Sequence, residues 1–249
     1  MTLVRQRSEP FETRLVAARP LSPLVRELVL ERQGGEPFRF DPGQWVNLLL
    51  PTAGGEIKRA YSIASAPDPR GSPRFELAVT KVDGGPGSTY LHDLPLGAPV
   101  HAIGPQGLFT REPEDEPPAL FIGTGTGITP LRSMVRAALA HGSHARLWIL
   151  FGARVEEDIL YRDELDILVA QHPHLRHVVT LSRPAETWTG RRGWVQDHLP
   201  GLVEELRATT TEPPHAYVCG LDRMVGAVRS MLRDQLGFDR KRVHAERYD

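Results

Sequence analysis

The 249-residue sequence contains one cysteine, Cys219. A single thiol excludes a disulfide within the chain, and it excludes a thiolate-held zinc or iron–sulfur cluster unless a second chain shares the ligands. Such scarcity fits a reducing compartment, and a cytoplasmic protein is the expectation. No run of about 20 apolar residues is present to span a membrane. The opening MTLVRQRSEPFE lacks the apolar stretch of a secretory signal. Charge of one sign is also missing. Lys and Arg number 30, Asp and Glu 31, and the net charge of −1 offers no global attraction to nucleic acid or an anionic membrane. The ten histidines form no metal signature. His172, His174 and His177 straddle Pro173 at a helix-to-strand turn and are expected in a solvated loop.

What is present changes texture along the chain. Up to about Leu108 the sequence offers short β-like runs: ETRLVAAR, LVRELVLER, WVNLLL, KRAYSIAS, RFELAVTKV and PVHAIG. The alternation in LVRELVLE is that of a half-buried strand. Gly- and Pro-rich turns separate the runs, so an antiparallel β-barrel or sandwich is predicted for residues 1–110. One short helix is expected at STYLHDL, with Ser88 as its N-cap. The segment REPEDEPP, residues 111–118, reads as a linker. From 119 to 249 buried-type strands (ALFIG, ARLWILFGA, LRHVVTLSR, HAYVCG) alternate with amphipathic helices, which implies a doubly wound parallel sheet.

Four stretches carry chemistry. RAYSIASAP gathers Arg59, Ala60, Tyr61 and Ser62 at a strand end, with more hydrogen-bonding groups than a strand needs; it is suited to lie against a ligand. FIGTGTGITP runs a buried strand into Gly123, Gly125, Thr126 and Gly127 and then a helix, whose N-terminus suits a pyrophosphate. It is neither a Walker A loop nor a full G-x-G-x-x-G, and a βα turn without ligand is the alternative. LSRPAETWTGRRG places Ser182, Arg183, Arg191 and Arg192 at the carboxyl end of the third α/β strand. Guanidinium and hydroxyl groups there suit a phosphate, where an acidic residue would favour a free ribose hydroxyl. Solvated surface arginines are the alternative. YVCG sets Cys219 and Gly220 at another strand end, as packing or as a pocket wall. Ser133 lies on a helix and lacks a nucleophile elbow.

In this order the motifs RAYSIAS, GTGTGITP, LSR…TGRRG, YVCG and HAERY resemble those of the ferredoxin–NADP reductase family, from about Glu12 to Tyr248. The resemblance implies an FAD-binding barrel, an NADP(H)-binding α/β domain, and hydride exchange between nicotinamide and flavin. It implies that Arg59 pairs with the FAD pyrophosphate, Tyr61 stacks on the isoalloxazine and Ser62 reaches flavin N5, with Ala60 between them. Val79, Thr80 and Lys81 resemble the strand along the flavin, and Gly87, Ser88 and Thr89 the second pyrophosphate clasp. Gly125, Thr126 and Gly127 resemble the dinucleotide loop, Ser182, Arg183 and Arg191 the 2′-phosphate set, and Cys219 and Gly220 the pair beside the nicotinamide. Glu246 matches a family carboxylate near the nicotinamide. Plant-type members end in a flavin-stacking Tyr; here Tyr248 is followed by Asp249. The implied partner is a separate ferredoxin or flavodoxin. Alternatives are a reductase component of an oxygenase, a free-flavin reductase, or, from another class, a non-catalytic electron-transfer or regulatory subunit.

Overall fold

The computed structural model describes residues 9–248. The first eight residues, which begin the stretch read above for a signal segment, and the terminal Asp249 lie outside the described residues. Strands β1 (Phe11–Ser22), β2 (Val25–Arg32), β3 (Trp45–Thr52), β4 (Gly55–Ser62), β5 (Arg74–Thr80) and β6 (Pro99–Gln106), with helix α1 (Pro86–Asp93), make the first unit. The strands pair antiparallel in the order β4-β3-β6-β1-β2-β5. Alternation does the sorting: on β5, Phe75, Leu77 and Val79 are buried, and they join Leu15, Leu28, Leu30, Leu48 and Leu50 in one core. Each such side chain stabilises the fold by about 1.5–3 kcal/mol. Just past the end of β4, Ile63 bridges to Leu77, and Ala64 N–H donates to Glu76 O at 2.8 Å. The two edge strands therefore meet, and the sheet closes into a barrel.

Helix α1 corrects one expectation. It starts at Pro86 with Gly85 as N-cap, so Ser88 lies inside the first turn. Proline suits the first helical position because its missing N–H would be unpaired there in any case. The Ser88 hydroxyl instead accepts from Val82 N–H at 3.0 Å and faces Gly85 O at 3.1 Å, tying down the preceding turn.

Residues 111–118 are fastened. Arg111 is buried, donates to Asp115 O (2.6 Å) and Pro117 O (2.8 Å), and its guanidinium lies 5.9 Å from the Tyr217 ring.

The second unit comprises β7 (Ala119–Thr124), α2 (Ile128–His141), β8 (Leu147–Ala153), α3 (Arg162–Gln171), β9 (Leu175–Leu181), β10 (Arg191–Arg192), α4 (Val195–Ala208), β11 (His215–Leu221), α5 (Asp222–Ser230) and β12 (Val243–Tyr248). All its strands are parallel, in the order β10-β9-β8-β7-β11-β12. Phe121, Ile149 and Phe151 pack with Leu131 and Leu165 of α2 and α3. Leu120, Ile122 and Leu150 pack with Leu199, Leu202 and Val225 of α4 and α5. Helices thus cover both faces, which is why β7 and β8 read as continuous apolar runs. The order reverses between β7 and β11, the place where such sheets bind ligands beyond their carboxyl ends.

His177 does not lie in a solvated loop. It is on β9 with its side chain 2% exposed and Nδ1 3.6 Å from Asp166, and burial pushes its pKa down. The strand carries it inward because side chains on β9 alternate between two covered faces: His177 lies on the α3 side, near Asp166, and Val178 joins the core under α4 and α5.

Candidate functional site at the domain junction

The carboxyl end of β4 meets the end of β12. Tyr248 donates from its hydroxyl to Ser62 Oγ at 2.7 Å, and Ser62 Oγ donates to Glu246 Oε1 at 3.2 Å. Thr129, on the first turn of α2, holds its hydroxyl 3.4 Å from that of Tyr248 and donates to Thr126 O at 2.8 Å. Cys219 is directly across the β11–β12 ladder from Glu246. Four residues named from sequence, Ser62, Cys219, Glu246 and Tyr248, are therefore one cluster, although 184 positions separate Ser62 from Glu246.

The electrostatics are those of a water-poor site. Burial pushes the Glu246 carboxyl up to about 7, against the lowering effect of the Ser62 hydroxyl. Burial also pushes the Cys219 thiol well up, so it is a neutral packing group and not a thiolate. The Tyr61 phenol rises to about 12, again through burial, with Arg59 opposing. A cavity of about 400 Å³, lined by Trp45, Leu108, Phe109, His244 and Glu246, opens beside the carboxylate.

The glycine turn after β7 has a steric reason. A Cβ on Gly127 would sit 2.3 Å from Cys219 O and 2.6 Å from Cys219 C, so the turn packs on the backbone of β11. Gly220, at φ +151°, is equally tight: a Cβ there would be 2.6 Å from Thr124 Oγ1. Gly125, at φ +53°, is exposed with open space around it. An exposed glycine turn feeding α2 leaves helix-N-terminal N–H groups for an anion.

A second anion cradle lies on the barrel. A Cβ on Gly87 would come 3.4 Å from Arg59 Cγ, so the exposed Arg59 side chain runs beside the α1 N-terminus. Gly87, Ser88 and Thr89 occupy that first turn. Arg59 and the helix end together offer cationic and N–H groups to a pyrophosphate. On β5, Val79 points into the barrel core and Thr80 is exposed, as is Lys81 just after the strand. Any role for Val79 at a ligand is thereby limited to its backbone. Arg59 with α1 thus makes an anion-binding end, and Tyr61 with Ser62 an aromatic and hydroxyl pair at the end of β4.

Ser182 and Arg183 follow β9 directly, and Arg191 of β10 pairs with Thr180 of β9. They are not part of the junction cluster. Three strand spacings separate β9 from β11, about 14 Å, with the glycine turn between them, an arrangement matched to an extended dinucleotide. The two adjacent arginines differ. Arg192 donates to Ala185 O, Glu186 O and Trp188 O at 2.8–3.1 Å, closing the loop on itself. Arg191 NH1 lies 3.5 Å from His198 Nδ1 and makes no carboxylate pair among the described residues. Two residues escaped the sequence reading. Thr129 was hidden in a helical pattern. Trp194, 65% exposed at the start of α4, stands beside this loop with a flat apolar face; its neighbour Gly193 and the Ser-Arg pair were the available signal.

Comparisons with known proteins bear on both units. The oxidoreductase FAD-binding domain family matches residues 12–110, and the oxidoreductase NAD-binding domain family matches residues 121–230. The chain is 61% identical over 243 residues to ferredoxin–NADP reductase B of Sorangium cellulosum (strain So ce56), covering 97% of this chain and 99% of that protein. It is 29% identical to the phenol hydroxylase P5 protein of Acinetobacter pittii (strain PHEA-2), covering 96% of this chain and 66% of that one. A ferredoxin NADP+ reductase from Neisseria gonorrhoeae with bound FAD and NADP shares the fold at a TM-score of 0.80 and 20% identity, over 96% of this chain and 99% of that one. An FAD-binding barrel followed by a nicotinamide-nucleotide-binding parallel sheet makes this an oxidoreductase, and the chain belongs to the ferredoxin–NADP reductase family.

Proposed function

We propose that the chain exchanges hydride between NADP(H) and FAD and passes single electrons to a separate ferredoxin or flavodoxin. The observation that carries this reading is the Tyr248–Ser62–Glu246 hydrogen-bond chain where the barrel meets the switch point of the parallel sheet. FAD, when bound, supplies two-electron acceptance and one-electron return. The protein supplies position. Arg59 and the α1 N-terminus would hold the pyrophosphate, Tyr61 would back the ring, and Ser62 would address its N5 edge. Gly125, Thr126 and Gly127 would seat the dinucleotide phosphates, and Cys219 with Gly220 would wall the nicotinamide. Ser182, Arg183 and Arg191 favour a 2′-phosphate over a free ribose, and Trp194 offers a stacking face for the adenine.

Glu246 has the chemistry of a proton store. A carboxyl at about 7 holds or releases a proton near neutral pH, and it accepts from the Ser62 hydroxyl. The family resemblance of Tyr248 is to a flavin-stacking ring. Its hydroxyl bond to Ser62 supports a role as a cover over the flavin side of the site, displaced when the nicotinamide enters.

The partner reading rests on the 61% relative, whose name specifies ferredoxin and NADP. Among the described residues no helix is long and apolar enough to cross a membrane. The decisive experiment is anaerobic stopped-flow reduction of the purified flavoprotein by NADPH and NADH in parallel, followed by addition of ferredoxin and of flavodoxin. Rapid bleaching by NADPH and re-oxidation by ferredoxin are expected. Equal rates and affinities for NADH would sink the 2′-phosphate assignment. A colourless protein inert to both would mark a non-catalytic module.

A further inference from the structure

Helix α2 begins at the glycine turn and passes under the strand extension that follows Ser62. Five residues after Gly127, about 7.5 Å along the helix, Arg132 is buried with 2% of its side chain exposed. Its guanidinium makes four hydrogen bonds. NH1 donates to Ala64 O at 2.7 Å and to Glu76 Oε2 at 2.6 Å. Nε and NH2 grip both oxygens of Glu164 at 2.9 and 2.7 Å. The group also lies 4.2 Å from the Tyr161 ring, whose residue holds φ +57° at the start of α3. The next residue, Ser133, donates to Ser65 O at 2.7 Å. Two consecutive carbonyls just beyond Ser62 are thus clamped by two consecutive residues of the helix that starts at the nucleotide turn.

Stability alone does not call for this. A buried ion network of this kind is often matched or bettered by apolar packing, because desolvating the charges is costly. What it adds is register. Guanidinium geometry is rigid and bidentate, so the donors fix α2 against Glu76 and Ala64 of the barrel and against Glu164 of α3 at once. We propose that Arg132, assisted by Ser133, is a positioning residue that sets the distance between the dinucleotide-holding turn at Gly125–Gly127 and Ser62. This rests on the functional reading above. The consequence is a split between binding and reaction. Each ligand keeps its own domain's contacts when the clamp loosens, but the relation between the two reacting ends is lost. Misplacement of about 1 Å costs up to about 100-fold in rate.

The test uses the purified flavoprotein with two variants, Arg132→Lys and Ser133→Ala. Lysine keeps the charge for Glu76 and Glu164 but cannot hold both and Ala64 O together. Three quantities are read: FAD content, the calorimetric Kd for 2′-phospho-AMP, and the flavin reduction rate at saturating NADPH. The flavin difference spectrum on adding NADP+ is a fourth readout, independent of turnover. The expected result is FAD content and Kd within about twofold of the parent, a reduction rate about tenfold to 100-fold lower for Arg132→Lys, a fall of about threefold or more for Ser133→Ala, and a diminished difference spectrum. A parental rate and spectrum in both variants would overturn the proposal. So would a fall in rate that only tracks lost FAD or weakened 2′-phospho-AMP binding, since that marks general destabilisation. If Arg132→Lys does not fold, Ser133→Ala decides by the same criteria. If the parent binds 2′-phospho-AMP but NADPH does not bleach it, the functional reading fails and this proposal fails with it.

Discussion

Replacing Glu246 by Gln should make the protein more stable at alkaline pH and leave it unchanged in acid. The carboxyl is pushed from 4.5 to about 7, principally by burial. In the window between those values the folded protein holds a proton that the unfolded chain has already released. The unfolded state binds fewer protons there, so stability falls as pH rises from about 4.5 to about 7 and is flat on either side. At 1.36 kcal/mol per pH unit the full shift corresponds to roughly 3 kcal/mol. Glu246 is only part-buried, and solvent screening brings the expected cost to about 1–2 kcal/mol. Gln copies the neutral carboxyl in shape. Glu246→Gln should therefore match the parent at pH 4.5 and exceed it at pH 8 by that amount, at roughly 2–4 °C of Tm per kcal/mol. Calorimetric scans of both proteins at the two pH values measure the difference of differences, in which contributions from every other titrating group cancel. A gap that is the same at both pH values, or a glutamine variant less stable at pH 8, would refute the assignment of an uncomfortable buried charge. Ser62→Ala provides a second handle. The Ser62 hydroxyl holds the Glu246 pKa down, so its removal should raise that pKa further and enlarge the alkaline gain of the glutamine variant.

Other expectations follow from close contacts. Gly127→Ala places a Cβ 2.3 Å from a backbone oxygen that cannot swing away; Tm should fall with a loss of about 1–3 kcal/mol, and 2′-phospho-AMP binding should weaken. A parental Tm would show that the turn has slack. Ser62→Ala should slow flavin reduction by NADPH about tenfold, as for one lost hydrogen bond of about 1.4 kcal/mol, while FAD retention changes less; equal reduction rates would remove Ser62 from the site. Arg191→Ala should raise KM for NADPH about tenfold or more, as for a lost charge-assisted contact, and leave KM for NADH nearly unchanged. A uniform rise for both nucleotides would assign Arg191 to loop structure.

The two-domain organisation was legible because the hydrophobic period changes at the domain junction: two residues in strands such as RFELAVT, then buried runs such as ALFIG followed by helical spacing. The glycine turn was legible for the same reason, since three glycines between a buried strand and a helix are seldom accidental. Other features depended on contacts that no local pattern announces. Ser88 looked like a helix cap because serine commonly is one, and only the upstream Gly85-Pro86 pair shows where the helix starts. His177 looked solvated beside Pro173, yet the strand begins at Leu175 and carries it inward. Arg191 and Arg192 are indistinguishable by type; one closes its own loop, and the other is left beside Thr180 and His198. Arg132 appeared as an ordinary polar position on an amphipathic helix. Its four acceptor contacts come from residues 32 to 68 positions away.

The junction cluster shows why the last strand matters more than its length suggests. β12 lies at the edge of its sheet and pairs only with β11, from Ala216–Val243 to Leu221–Tyr248. Alternation puts His244, Glu246 and Tyr248 on one face. His244 and Glu246 line the cavity, and Glu246 and Tyr248 both reach Ser62. An edge strand with one neighbour is easily displaced, but here two of its side chains are bonded into the barrel. Loss of the Ser62 contacts would leave the strand end held by its ladder to β11 and by the Tyr248–Thr129 contact, and a bound nicotinamide that displaced Tyr248 would leave Glu246 as the tie to the barrel. The carboxyl therefore does two jobs that pull in opposite directions. Its bond to Ser62 ties β12 to the barrel and favours the charged form, while its burial favours the neutral form. A single hydroxyl, that of Ser62, reconciles them, because it bonds the carboxylate strongly enough to hold the strand and too weakly to bring the pKa back to its ordinary value.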